Sequence, residues 1–209
     1  MKNHILHCFL ILLVLLCPLL LIPGCNVVRY AQHVAGPEPV EAQYVPARKP
    51  LVVIVKDQPD PSGARVESAE IADEVEQQLR LFDTAPLISY SKVIDLRSSR
   101  PAEFMTMSPA RMGRAVGAEQ VLYVEIMANT RETHATRDVV KMQIVARVRM
   151  VDAASGANLW PTDSDGVNVS NEVPLTRITA DVNVLSLERN LYSGLADGIA
   201  KLFRKYKPE

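Results

Sequence analysis

The sequence predicts an α/β fold: one mixed, mostly antiparallel sheet with helices packed on it, in a single domain. Three observations carry that expectation. A short continuous apolar run, Leu51 to Val55, stands between proline-bearing segments. A long alternating run occupies Asp138 to Asp152. Two further stretches, Val66 to Phe82 and Ser186 to Tyr206, space their apolar residues as helices do.

Ahead of these elements, Met1-Lys2-Asn3-His4 opens onto an apolar run from Ile5 to Ile22, closed by Pro23, Gly24 and Cys25. A positive start, an apolar stretch and a small residue before the cut are the parts of an export signal. Leu21-Ile22-Pro23-Gly24-Cys25 resembles the lipobox of bacterial lipoproteins, with Pro23 where a small residue is usual. The resemblance implies that residues 1–24 are removed and that Cys25 receives a diacylglyceryl group. The expected location is then the cell envelope, lipid-anchored and facing the periplasm. Asn26 is not the aspartate that marks inner-membrane retention in enterobacterial sorting, which favours the outer membrane. The competing reading is a retained transmembrane helix, since about 18–20 apolar residues span a bilayer. Pro18 and Pro23 each remove a helix hydrogen bond and make the run a poor span.

Cys8 and Cys17 fall inside the signal, so Cys25 is the one cysteine expected in the mature chain. That excludes an internal disulfide framework and a cysteine-built metal site. Residues 25–50 carry Gly36, Pro37, Pro39, Pro46 and Pro50 and too little apolar surface to order themselves, so they are expected to form a tether. Residues 51–207 are expected to form one α/β domain, long enough for one hydrophobic core. The formal net charge of −1 argues against electrostatic capture of nucleic acid.

Within that domain, Leu51 to Val55 reads as a strand buried on both faces. From Val66 to Phe82, Ile71, Val75, Leu79 and Phe82 form one stripe, while Glu67, Glu70, Asp73, Glu74 and Gln78 face away. Leu87, Ile88 and Tyr90 make a second short strand. Ser91 to Arg97 is expected as a brief helix and Ser98 to Thr106 as a loop. Ser108 with Pro109 behind it reads as a helix start, and the helix ends between Gly113 and Gly117. Val121 to Ala128 and Asp138 to Asp152 read as an antiparallel hairpin joined by a loop over Asn129 to Arg137. Asp152-Ala153-Ala154-Ser155-Gly156 is a turn, Ala157 to Trp160 begins a returning strand, and Gly166 to Val173 is an edge strand or a loop. The last helix carries Leu191, Leu195, Ile199, Leu202 and Tyr206 on one stripe.

Two stretches carry a resemblance. Gly117-Ala118-Glu119-Gln120-Val121-Leu122-Tyr123-Val124-Glu125-Ile126 and Val151-Asp152-Ala153-Ala154-Ser155-Gly156-Ala157-Asn158-Leu159-Trp160 resemble the envelope lipoproteins related to CsgG, LpoB and the TolB N-terminal domain. The resemblance covers residues 50–205 in order of elements. It implies a periplasmic α/β domain that acts by protein contact. The extra membrane-length strand pair that builds the curli pore has no counterpart in the sequence.

Candidate chemistry is sparse. The mature chain has His33 in the tether and His134 in the expected hairpin loop. Asp57 with Asp60, and Asp163 with Asp165, are short acidic pairs that read as turn formers rather than cation ligands. No catalytic residue, metal site or cofactor is expected. Charge distribution is the stronger signal. Between Lys56 and Glu76 seven acids face Lys56 and Arg65, and between Lys92 and Arg114 five bases face Asp95 and Glu103. Arg97, Arg100, Arg111 and Arg114 are therefore the candidate partner-binding residues, together with Trp160, a residue type enriched in contact hot spots. The expected partners are a membrane through the lipid on Cys25, an envelope protein, and a second copy of the chain. The function expected is that of a lipid-anchored accessory protein rather than an enzyme. A homo-oligomeric component of an envelope assembly is the alternative, and a carboxylate-based hydrolase the third reading.

Overall fold

A computed structural model describes residues 37–57, 68–134, 138–179 and 182–208. The export signal, Cys25, His33, Asp60 and Glu67 lie outside the described residues. The chain divides into two units, Met1–Val40 with Tyr206–Glu209, and Glu41–Lys205. In the first, Val40 and Tyr206 form an antiparallel bridge, with N–H···O distances of 2.7 and 3.0 Å. The second carries the sheet and its helices.

Its elements are β1 (Leu51–Asp57), α1 (Ser68–Leu81), β2 (Leu87–Ile88), α2 (Ser91–Ser99), α3 (Pro101–Phe104), α4 (Pro109–Val116), β3 (Gln120–His134), β4 (Val139–Asp152), β5 (Asn158–Trp160), β6 (Val167–Arg177) and α5 (Val184–Lys201). The sheet runs β2-β1-β3-β4, and both β5 and β6 pair with the outer side of β4. β1 is parallel to β2 and β3; the other pairings are antiparallel. The fold class is the one the sequence predicts. No helix among the described residues is long and apolar enough to cross a membrane.

Register sorts the sheet into two faces. Leu122, Val124 and Ile126 stand opposite Met150, Val148 and Ala146, and β6 adds Val169, Asn171 and Val173 beside Ala146, Ile144 and Met142. α5 lies on this face, burying Leu187, Leu191, Leu195 and Ile199. Its approach is close because Gly194 leaves room for Asn171: a Cβ there would collide with the Asn171 amide, which donates to Leu191 O at 2.8 Å. α1 packs on α5 and β1 through Ile71, Val75 and Leu79, three members of the predicted stripe. Each such buried Leu or Ile contributes about 1.5–3 kcal/mol relative to exposure. Phe82, the fourth, lies beyond the helix, with the Arg204 guanidinium 3.8 Å from its ring centroid.

On the other face, α4 presses Gly113 onto Val121 and Ala153. Ser108 caps α4 by accepting the Arg111 N–H at 3.3 Å, Pro109 holds its first position, and Gly117 ends it in the left-handed region at φ 84°. Start and stop are those read from the sequence. Farther along, this face is polar, and Arg149 stacks over Tyr123 at 5.0 Å. Burial, with Glu125 adding to it, pushes the Tyr123 hydroxyl up to about 12 against the pull of Arg149.

Several expectations need correction. The hairpin loop expected over Asn129 to Arg137 is mostly strand: β3 continues to His134, and a register shift between Ile126 and Ala128 marks a bulge. Thr130, Arg131, Glu132 and Thr133 show no apolar alternation, so their sequence gives no strand signal. β4 supplies the pairing partner, and Arg131 makes an ion pair with Glu188 of α5. Ser98 to Thr106, expected as loop, contains the single turn α3. The last helix stops at Lys201 rather than Tyr206. Gly166 to Val173 resolves as an edge strand that runs on to Arg177.

The tether is also shorter than expected, because Glu41 to Pro50 packs on the body. Gln43 and Tyr44 donate backbone N–H to Leu202 O at 2.8 and 3.2 Å, and Pro50 O accepts Glu119 and Gln120 N–H at 2.9 and 3.0 Å. The reason is a buried amide: Gln120 is 2% exposed and bonds the backbone of Ala47 and Lys49. Proline content alone cannot reveal such a long-range anchor.

Candidate functional site

The α2–α3–α4 layer holds the surface where the sequence places its basic residues. α2 starts at Tyr90, whose backbone N–H donates to the carboxylate of Glu76 on α1. Glu76 is 5% exposed, and burial raises its pKa above the usual carboxylate range, against the Tyr90 N–H and Arg80, which lower it. This buried acid fixes the start of α2, and Val93 seats the helix on the core. Its other side stays open.

Between α2 and α4 runs a groove of about 620 Å³, lined by Lys92, Asp95, Leu96, Ser99 and Arg100 on one wall and Ala115 and Val116 on the other. Its lining sets Leu96, Ala115 and Val116 among two cations, one acid and a hydroxyl. Apolar side chains stand out on the same α2–α3 segment: Ile94 is 45% exposed and Met105 77% exposed. A groove with a net positive rim, on a segment that also exposes apolar side chains, suits the surface of another protein.

The predicted site residues divide. Arg100 lines the groove. Arg97 is exposed in the last turn of α2. Arg111 is paired with Glu103 at 3.3 Å. Arg114 donates to Ala153 O, and to Ala154 O at 3.2 Å, so it braces the β4–β5 turn. Trp160 is elsewhere: its ring stacks on Tyr44 at 6.2 Å and meets Phe203 edge-on at 5.6 Å, half-buried in an aromatic cluster. Sequence reasoning missed Lys92, Asp95, Leu96 and Ser99. Their spacing was the available signal, since positions i, i+3, i+4 and i+7 share one helix face.

The Asp-turn-Gly motif has a local explanation. Asp152 Oδ1 accepts both the N–H and the hydroxyl of Ser155 at 2.7 Å, and Gly156 supplies φ 78°. Those two hydrogen bonds hold the Asp152 carboxyl below the usual range. Asp163 and Asp165 are exposed in the loop before β6. His134 is the last residue of β3. Among the described residues, no group of three or more His, Cys, Asp or Glu side chains gathers as metal ligands would.

No protein-family model and no curated protein sequence matches this chain. Its fold is similar in outline to several solved structures. Lipoprotein GNA1162 from Neisseria meningitidis is 16% identical, with a TM-score of 0.45 over 72% of this chain and 97% of that one. A hypothetical protein from Chlamydia trachomatis is 14% identical, with a TM-score of 0.45 over 74% and 96%. PelC from Paraburkholderia phytofirmans, solved as a dodecamer, is 13% identical, with a TM-score of 0.40 over 80% and 96%. Likeness at this level transfers no function from those proteins to this one.

Proposed function

We propose that this chain is a lipid-anchored accessory protein of the cell envelope, held to a membrane through Cys25 and acting by protein contact rather than catalysis. The observation that carries the contact is the α2–α4 groove, whose rim sets Lys92 and Arg100 against Asp95, on a segment that also exposes Ile94 and Met105. The lipobox-like residues 21–25 support the anchor. The resemblance of residues 117–126 and 151–160 to the CsgG, LpoB and TolB N-terminal group supports a periplasmic body of this kind. The partner presents an acidic surface with apolar residues among the acids.

Photo-crosslinking in living cells tests this. A crosslinking residue is placed at Met105 and, as a control, at Glu70, which is exposed on α1 at the opposite sheet face. The expected result is an adduct with one envelope protein from position 105, absent from position 70 and lost when Lys92→Glu and Arg100→Glu are combined. Equal adducts from both positions, or none from 105, contradict the reading.

A further inference from the structure

Among the described residues β6 pairs with β4 alone, and its other edge is open. Two hydrogen bonds at the ends of β4 fix which way the peptide groups point. Asp152 N–H donates outward to Ala157 O at 2.9 Å, and Asp138 C=O accepts Ile178 N–H at 2.7 Å. Peptide groups alternate sides along a strand, so Met142, Ile144, Ala146 and Val148 also turn toward β6 while the residues between them serve β3. Their β6 partners Val173, Asn171, Val169 and Val167 are thereby used. The N–H and C=O groups of Asn168, Ser170 and Glu172 face outward.

The usable window has sharp ends. Gly166, at φ 140°, precedes it, and beyond Val173 the register shifts at Pro174 and Leu175. What lies between, Val167 to Val173, is centred on Ser170. We propose that two copies of this chain join their sheets here, β6 antiparallel to β6, about a two-fold axis at Ser170.

In that register Ser170 meets Ser170 of the second copy, Asn168 meets Glu172, Val169 meets Asn171 and Val167 meets Val173. The outward peptide groups fall opposite one another as hydrogen-bonded pairs, so the ladder continues across the axis. Glu172 is the only charge in the window, and it meets an amide donor instead of another carboxylate. Val167 and Val173 pair on the face that α5 covers. Sheet edges are ordinarily guarded by lysine, proline, bulges or shortness. The opposite edge, β2, has only two residues; the Val167 to Val173 window has none of these guards. Pairing of identical surfaces closes at two copies and needs no further partner.

Cysteine substitutions in the full chain, made in the bacterial envelope and oxidised in mild detergent, read the register. In Ser170→Cys the two sulfurs sit across the axis, within disulfide reach. In Glu172→Cys the two Cα atoms lie about 13 Å apart, four residues out of step, which is beyond reach. The expected result is disulfide-linked dimer from Ser170→Cys at least about tenfold faster than from Glu172→Cys, both variants keeping Cys25 as the parent does. Ser170→Pro removes an outward N–H and no bond to β4, so it is expected to give a monomer with the parent's circular dichroism and melting. A parent chain that is monomeric at every concentration overturns the proposal, including one found paired with a strand of another protein. So does equal crosslinking of the two cysteine variants, or a dimer that Ser170→Pro leaves intact while folded. Should Ser170→Pro fail to fold, the cysteine comparison decides.

Discussion

Gln120 and Ala47 are bonded in both directions: Ala47 N–H donates to Gln120 Oε1 at 3.2 Å, and Gln120 Nε2 returns to Ala47 O at 2.9 Å. A third bond, to Lys49 O at 3.2 Å, uses the second amide hydrogen. One buried side chain thus ties the segment before β1 to the start of β3. Gln120→Ala takes this partner from Ala47 N–H and Lys49 O, while Ala47 O keeps the Lys49 N–H at 2.8 Å, at a cost of about 1–3 kcal/mol. The expected outcome is lower stability and faster trypsin cleavage after exposed Arg48. Unchanged cleavage would mean that the segment is held by other contacts.

Glu76 makes stability depend on pH in an unusual direction for a carboxylate. Its pKa is raised in the folded chain, chiefly by burial, so the folded state favours the protonated acid. That contribution is fully present below the ordinary value of 4.5 and is lost as pH rises through the folded value. Glu76→Gln keeps an acceptor for the Tyr90 N–H and removes the titration. The variant's melting temperature relative to the parent is expected to rise between pH 4 and pH 7, followed by calorimetry. A pH-independent difference contradicts the assignment.

Gly194 sets the distance between α5 and β6. Gly194→Ala forces a Cβ into the Asn171 amide, and overpacking of this sort costs about 1–3 kcal/mol. Urea unfolding measures the loss. A helix propensity gain that outweighs it would show that α5 shifts at no cost, contrary to the close packing described.

The arginines of the α2–α4 layer are expected to separate by role. Arg114→Ala removes the brace on Ala153 O and Ala154 O and should lower stability by about 1 kcal/mol. Arg97→Ala, on an exposed turn, should stay within about 0.5 kcal/mol of the parent and weaken partner crosslinking instead. Thermal melts of the two variants, read beside crosslinking from position 105, make the comparison. Equal stability losses would remove the distinction.

The legible parts of this fold are those where local pattern and burial agree. Leu51 to Val55 reads as a doubly buried strand because both neighbours, β2 and β3, lie within the covered sheet. Ser108-Pro109 and Gly117 read as helix ends because capping is chemistry of a few adjacent residues. What stayed hidden depends on distant partners. Arg131 sits in a strand because β4 and Glu188 receive it, and Glu41 to Pro50 is ordered because Gln120 reaches back to Ala47. The groove was half legible: its cations are visible in a charge count, but Arg111 and Arg114 spend theirs on Glu103 and on the β4–β5 turn, which no charge count reveals.

The proposed function depends on where the chain is held, and the intact mass of the membrane-extracted protein tests that most directly. The account expects a chain beginning at Cys25, heavier than its residues by a diacylglyceryl group, and no such species from Cys25→Ser. A membrane-bound chain that retains residues 1–24, or a processed chain with no acyl mass on Cys25, would contradict it.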